Sequence, residues 1–364
     1  MISFGTTEEQ EIVREAMRDF AAQAVRPLAR ECDESSQIPD DFLQQAWELG
    51  LTATQIPESY GGGGEERSAV TNAIVLEELA HGDAALAIGA LAPSLFANAL
   101  LDQGTDAQKR EHLPAFCGER FHTGSLAVVE PGPLFDASRP RTRAEPKSDG
   151  FVLSGAKTLV PLADRAAHFL VVARNNGGLD AFVVPRDARG LSISEPEKNL
   201  GLRALPTAGL TLERVEVGSD ARLGGEAGCD VRRLLDGSRT ALAAVMTGLS
   251  RAVLEYCVPY AKDREAFDEP IARKQAIAFA LAEMHMEVEA MRWLTWQAAS
   301  HLEQGRDATR AAGHARSYAA EKSMWIADNG VQVLGGHGFI REHPVELWFR
   351  SARTLGVLEG TVTL

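Results

Sequence analysis

Basic charge is what this chain most lacks: 37 Lys and Arg stand against 51 Asp and Glu, a formal net charge of −14 over 364 residues. A nucleic-acid-binding surface needs a broad positive field to displace counterions, so that class of partner is not expected, whereas a local arginine pocket for a single phosphate remains compatible. Cysteine is scarce as well. Cys32, Cys117, Cys229 and Cys257 lie far apart and form no C-x-x-C pair, which argues against a zinc ribbon or a disulfide framework and for a reducing, cytoplasmic setting. The histidines show no metal-ligand spacing. The amino terminus, Met1 to Arg14, is acidic and amphipathic, so no signal peptide is expected, and no apolar run approaches the roughly 20 residues of a membrane span. Also missing are a G-x-G-x-x-G after a strand, a G-x-x-x-x-G-K-[ST] and an H-E-x-x-H. Gly248-Leu249-Ser250-Arg251-Ala252 comes close to a nucleophile elbow, but it lies in a helical pattern where that strained turn cannot form, so Ser250 reads as structural.

What is present divides into three stretches. Thr6 to Glu9 has the form of a capping box, and Ile12, Val13, Met17, Phe20 and Ala24 recur behind it at helical spacing. Pro39, Asp40 and Asp41 open a second helix that stops at Gly50, and helical patterns return over 68–79, 85–101 and 106–116. From Phe121 the period changes to short strand-like runs, 122–129, 150–154, 168–172, 179–184, 191–194 and 210–217, separated by turns such as Asn175 to Gly178. No long helix interrupts them, which favours an antiparallel β-barrel or sandwich over a βαβ sheet. From Asp230 the pattern is helical again, with Ile277, Leu281, Met284, Val288, Met291 and Ala298 spaced as on a long bundle helix. The expected architecture is α+β and multi-domain: an N-terminal all-helical domain (1–120), a middle β domain (121–229) and a C-terminal helical bundle (230–364).

One constellation carries chemistry. Arg264 and Phe267 stand at a helix end, Gln275 follows, Gln332 precedes Gly335 and Gly336, and Glu359-Gly360-Thr361 lies close to the last residue of the sequence. A guanidinium forks onto phosphate oxygens while an aromatic ring stacks on a planar base, and a glycine pair admits a ligand to the backbone. A carboxylate held before a glycine can be aimed at a C–H. Singly, each has an ordinary alternative: a solvated helix-end arginine, a core phenylalanine, a plain helix C-cap.

Taken in order, these residues resemble the acyl-CoA dehydrogenase family. The resemblance also rests on Ile56-Pro57-Glu58-Ser59-Tyr60-Gly61-Gly62, Glu130-Pro131-Gly132, Asn199-Leu200-Gly201-Leu202-Arg203, Tyr260 to Phe267, Lys274-Gln275-Ala276-Ile277, Gln332 to Phe339 and Leu358 to Thr361, and so covers nearly the whole chain. It implies a helical domain, an antiparallel β-barrel and a four-helix bundle. It also implies FAD as cofactor, an acyl-CoA substrate of fatty or steroid type, an electron-transfer flavoprotein as acceptor and a tetramer, either of identical chains or with a homologous subunit. Glu359 matches the family's catalytic base; some members carry theirs at the position of Ser238 instead, which leaves Glu359 as the candidate. Arg239 resembles the family's arginine near the thioester, and Phe135 and Gly360 fall at substrate positions. Arg264, Phe267, Gln275, Gln332, Gly335, Gly336 and Thr361 fall at FAD positions.

The β domain departs from the family pattern where the flavin ring would rest. The family's T-E-P-x-x-G-S-D is Val129-Glu130-Pro131-Gly132-Pro133-Leu134-Phe135-Asp136, and its W-I-T is Leu159-Val160-Pro161. Val129, Leu159 and Pro161 therefore offer no side-chain donor, and the glycine expected after Phe267 is Asp268. Three functions follow as expectations: an FAD-dependent acyl-CoA dehydrogenase with Glu359 as base; a subunit that completes a partner's FAD site in trans; and a non-redox acyl-CoA-binding protein.

Overall fold

The computed structural model describes residues 5–176 and 178–364. Met1 to Phe4, in the amphipathic amino terminus, and Gly177, in the turn expected over Asn175 to Gly178, lie outside the described residues.

Helix α1 (Glu8–Phe20) starts in a capping box one residue later than expected: Thr7 accepts from Gln10 N–H, and the Gln10 side chain accepts from Thr7 N–H. It runs on through a π turn at Ala21–Val25 into α2 (Ala29–Ser35), which the sequence pattern did not reveal. The reason is that α2 buries Asp33, and that carboxylate is tolerated because cations distant in sequence pair with it, Arg350 at 2.8 Å and Arg203 at 4.0 Å. Then follow α3 (Asp40–Glu48), α4 (Ala69–Gly82), α5 (Ala84–Gln103) and α6 (Asp106–His112).

Seven strands form one curled sheet: β1 (Ser125–Ala127), β2 (Arg143–Lys147), β3 (Gly150–Pro161), β4 (His168–Asn175), β5 (Gly178–Pro185), β6 (Leu191–Ile193) and β7 (Thr207–Gly218). The expectation of an antiparallel sheet holds for β2–β3, β3–β7, β6–β7 and β4–β5 and is corrected at two places, since β1 and β2 both run parallel to β4. The polar, proline-containing strand β2 also escaped the sequence pattern. Its exposed residues alternate poorly, and its pairing is supplied by β3.

The bundle comprises α7 (Val231–Asp263), α8 (Gln275–Glu303), α9 (Thr309–Leu334) and α10 (Val345–Leu355), with a two-stranded hairpin, β8 (Glu265–Ala266) and β9 (Glu269–Pro270), between α7 and α8. As the spacing predicts, Met284, Val288, Met291 and Ala298 are buried on α8. One apolar core joins α4 and α5 to α7, α9 and α10. At Gly248 the backbones of α7 and α4 touch: a Cβ there would stand 2.2 Å from the Glu77 carbonyl oxygen, which explains the glycine of the false nucleophile elbow, and Ser250 is fully buried beside it.

The statement that no run is long and apolar enough for a membrane span also needs correction. Both α5 and α7 pass that test by length and composition, with mean hydropathies of 1.8 and 1.4 over their best windows, but 94% and 78% of those windows are buried inside the protein. Their apolar faces pack against the other helices of the shared core.

Candidate active site

Glu359 lies just beyond α10, where the chain turns through Gly356, Val357 and Leu358. Its side chain is 18% exposed, and its Oε1 accepts from Arg239 Nε at 2.6 Å. Next to Arg239 on α7, Ser238 is fully buried and its Oγ accepts from the Gly360 N–H at 3.0 Å. Ser238, at the position that resembles the family's alternative base, thus fastens the backbone beside the Glu359 carboxylate. Gly360 needs to be glycine for two reasons: its φ is +71°, and a Cβ there would lie 2.5 Å from Val128 Cγ2. The carboxylate is therefore pinned from α7 on one side and from the end of β1 on the other. Thr361 is fully buried, and its hydroxyl has no hydrogen-bond partner, the state of a group that a ligand's polar atom would satisfy.

The wall under Val128 is held by an ion pair that the sequence did not announce. Lys157 Nζ donates to the Val128 carbonyl and to Glu130 Oε1, each at 3.0 Å, and neither side chain is more than 3% exposed. Glu130 accepts in addition from the N–H groups of Arg141 and Thr142 and from the Thr142 hydroxyl. Burial pushes the Lys157 ammonium down to about 8 against the pull of Glu130. Burial pushes the Glu130 carboxyl up, yet Lys157 and the hydrogen bonds outweigh it and leave it below the usual range. Removing one member of such a pair strands the other charge, which costs about 3–5 kcal/mol. Lys157→Met is accordingly expected to destabilise the protein by roughly 3 kcal/mol, read as a lower urea midpoint at unchanged slope; an unshifted midpoint would show that the pair holds nothing.

Val129 directly follows Val128, Leu159 and Pro161 lie beyond Lys157 on β3, and Phe135 lies in the β1–β2 connection. Val129 and Pro161 are buried, and their carbonyls already accept from Thr158 N–H at 2.9 Å and from the Ser125 hydroxyl at 2.6 Å. Leu159 sits in a bulge of β3 with φ +55°, a left-handed conformation costing a leucine about 1 kcal/mol. Glu197 holds it there by accepting from Leu159 N–H and the Thr158 hydroxyl. Phe135 is half-buried.

The other candidate residues gather at the opposite end of the bundle. Phe267 and Asp268 form the two-residue turn of the β8–β9 hairpin, both with positive φ (55° and 63°), and Phe267 is 89% exposed. Asp is one of the few residues that tolerates this turn in place of glycine. Arg264, Gln275 and Gln332 are exposed at the ends of α7, α8 and α9. Tyr260 ties this corner together, its hydroxyl lying 2.9 Å from His337 Nδ1, beside the glycine break. Around Gly335 and Gly336 a built Cβ meets nothing within 4 Å, so the backbone forms an open shelf. An exposed ring, a guanidinium and a bare glycine shelf suit a dinucleotide's adenine and pyrophosphate, and Thr361 offers an unused hydroxyl near the carboxylate. The residues present fit FAD.

Along α7, Arg239 beside the carboxylate and Arg264 beside the shelf are about 37 Å apart at 1.5 Å per residue. One cofactor cannot reach both ends within one chain.

A helical domain and a bundle sharing one core, with a curled sheet against the carboxylate at their junction, define a flavoprotein oxidoreductase fold. The chain belongs to the acyl-CoA dehydrogenase family: residues 7–120, 125–215 and 230–363 match its N-terminal, middle and C-terminal domains. It is 34% identical to the short-chain specific acyl-CoA dehydrogenase of Bos taurus mitochondria, covering 97% of this chain and 87% of that one. It is 32% identical to the 3-(aryl)acrylate reductase of Clostridium sporogenes, covering 98% and 96%. The butyryl-CoA dehydrogenase structure from Megasphaera elsdenii superposes with a TM-score of 0.89 at 30% identity, covering 99% and 96%. FAD is the cofactor of this fold and family.

Proposed function

We propose that this chain is an acyl-CoA dehydrogenase that introduces an α,β double bond into an acyl-CoA thioester, with Glu359 removing the α-proton. FAD, when bound, supplies the acceptor for the β-hydrogen, which leaves as hydride. Glu359 has the chemistry of the base, Gly360 lets the backbone beside it pass tight against Val128, and the Ser238 hydroxyl holds that backbone in place. Arg239 pairs with the carboxylate through its Nε. A substrate that draws the guanidinium toward its thioester frees the base and brings a positive charge to the oxygen that gains electron density. Phe135 and Gly360 border the substrate, and Val129, Leu159, Pro161 and Thr361 line the ring.

Arg264, Phe267, Gln275, Gln332, Gly335 and Gly336 hold the adenine and pyrophosphate of a cofactor whose ring lies on another subunit. The separation of the two half-sites along α7 carries this reading, because only assembly brings complementary halves together. A tetramer of this chain, or of this chain with a homologue, satisfies it, with an electron-transfer flavoprotein as acceptor.

One observation favours a second reading. The ring wall presents no side-chain donor at Val129, Leu159, Pro161 or Phe135, as in a subunit that lends only its glycine shelf to a partner's cofactor. The visible spectrum of the chain purified alone separates the two. About one flavin per subunit, bleached by butyryl-CoA or a longer acyl-CoA, is the expected result; a colourless chain that turns yellow on co-expression with a homologous subunit favours the second.

A further inference from the structure

Arg316, on α9, is an arginine to which neither the sequence pattern nor the proposed chemistry gives a task. It is only 9% exposed, and its Nη2 donates to the carbonyl oxygens of Leu355 (2.9 Å), Gly356 (3.2 Å) and Leu358 (2.8 Å). These are carbonyls at and just beyond the C-terminus of α10, which have no intrahelical partner and carry the negative end of the helix dipole. Among the described residues Arg316 hydrogen-bonds to no carboxylate, and its Nε is buried without a partner. Burial weakens its hold on the proton, and the one carboxylate whose charge counteracts this is Glu359, one residue beyond the last carbonyl it grips.

We propose, on the reading of Glu359 as base, that Arg316 is its positioning residue: it clamps the turn between α10 and Glu359 and supplies a buried positive charge within reach of the carboxylate. The ordinary alternative is a helix cap that serves stability alone. Two things speak against that. A neutral donor would satisfy the same carbonyls without the desolvation cost of a buried guanidinium. The clamp also spans the residues that set the direction in which Glu359 leaves the helix. When Arg239 turns toward substrate, Arg316 is the cation left beside the carboxylate. Arg239 on α7 faces both members of the pair, and Asp236 on α7 and Asp136 on the β1–β2 connection in turn face Arg239.

The test uses the flavin-loaded full-length protein with butyryl-CoA, or whichever acyl-CoA bleaches it, and three variants. Arg316→Gln keeps a donor and loses the charge. It is expected to lower kcat about tenfold at little changed KM and to move the acid limb of the pH profile upward by about one unit, because a carboxylate is harder to ionise without a nearby cation. Arg316→Lys keeps the charge and loses part of the clamp, so the limb stays in place while kcat falls several-fold. A cycle combining Arg316→Gln with Glu359→Gln, read as melting temperature and independent of turnover, should show the double variant losing less than the sum of the singles. Additive melting shifts, with both Arg316 variants matching the wild-type profile, would overturn the proposal. If Arg316→Gln yields no folded protein, Arg316→Lys decides: an unchanged kcat refutes the positioning role. The underlying reading fails separately, through undiminished turnover in Glu359→Gln.

Discussion

Glu359→Gln is expected to remove acyl-CoA-dependent bleaching of the bound flavin by about 10³-fold or more, within the usual range for losing a general base, while the flavin content and the resting spectrum stay as in the wild type. The amide keeps the size of the side chain and an acceptor for Arg239 but cannot take up a proton. Its backbone is held independently of the carboxylate, through the Ser238 hydroxyl and the Gly360 contact with Val128, so the site should not collapse. Anaerobic stopped-flow absorbance measures the effect. Wild-type bleaching by the glutamine variant would mean that another group removes the α-proton; Ser238, which stands where the family's alternative glutamate would be, cannot supply a carboxylate. The same variant should block the reverse reaction, in which the protonated carboxyl would return its proton to the α-carbon.

The second large effect is a rescue. Gly336→Trp alone is expected to abolish flavin binding or turnover without unfolding the chain, because a Cβ at Gly336 would meet nothing of its own subunit within 4 Å and φ there is not positive. Gly335, at φ +57°, would be strained by the same change and is the poorer choice. Glu359→Gln is inactive for a different reason. Co-expressed, the two should restore about a quarter of wild-type activity: random pairing makes about half the dimers mixed, and each mixed dimer contains one site with an intact base and an intact shelf. The site that combines both lesions stays dead. Zero recovery from a mixed preparation that still assembles would show that each chain completes its own site, against the distance along α7.

Pairing Glu359 with Arg239 at 2.6 Å fits the proposed role of Arg239 as the partner that holds the carboxylate until substrate arrives. On the proposed function, Arg239 also brings its donors to the thioester oxygen that gains charge, so one residue serves the base before binding and the substrate after it.

Much of this was legible from residue types in order. The helical, strand and helical periods set the three-part architecture, because burial on one face imposes a period of 3.6 or 2 wherever an element is amphipathic. Glu359-Gly360, the Gly335-Gly336 pair and the Arg264-Phe267 pair were visible because each needs a residue type that few substitutes can supply. The substitutions at Val129, Leu159 and Pro161 were equally plain. The sequence by itself could not reveal α2, whose buried Asp33 depends on Arg350 and Arg203, or strand β2, whose pairing comes from β3. It was silent too on the Lys157–Glu130 pair and on Arg316, since a buried charge looks like a surface charge until its partners are known. Above all, only the tertiary structure placed the base and the glycine shelf at opposite ends of α7. Order along a chain does not encode distance, and it is the length of one helix that separates two neighbouring-looking motifs.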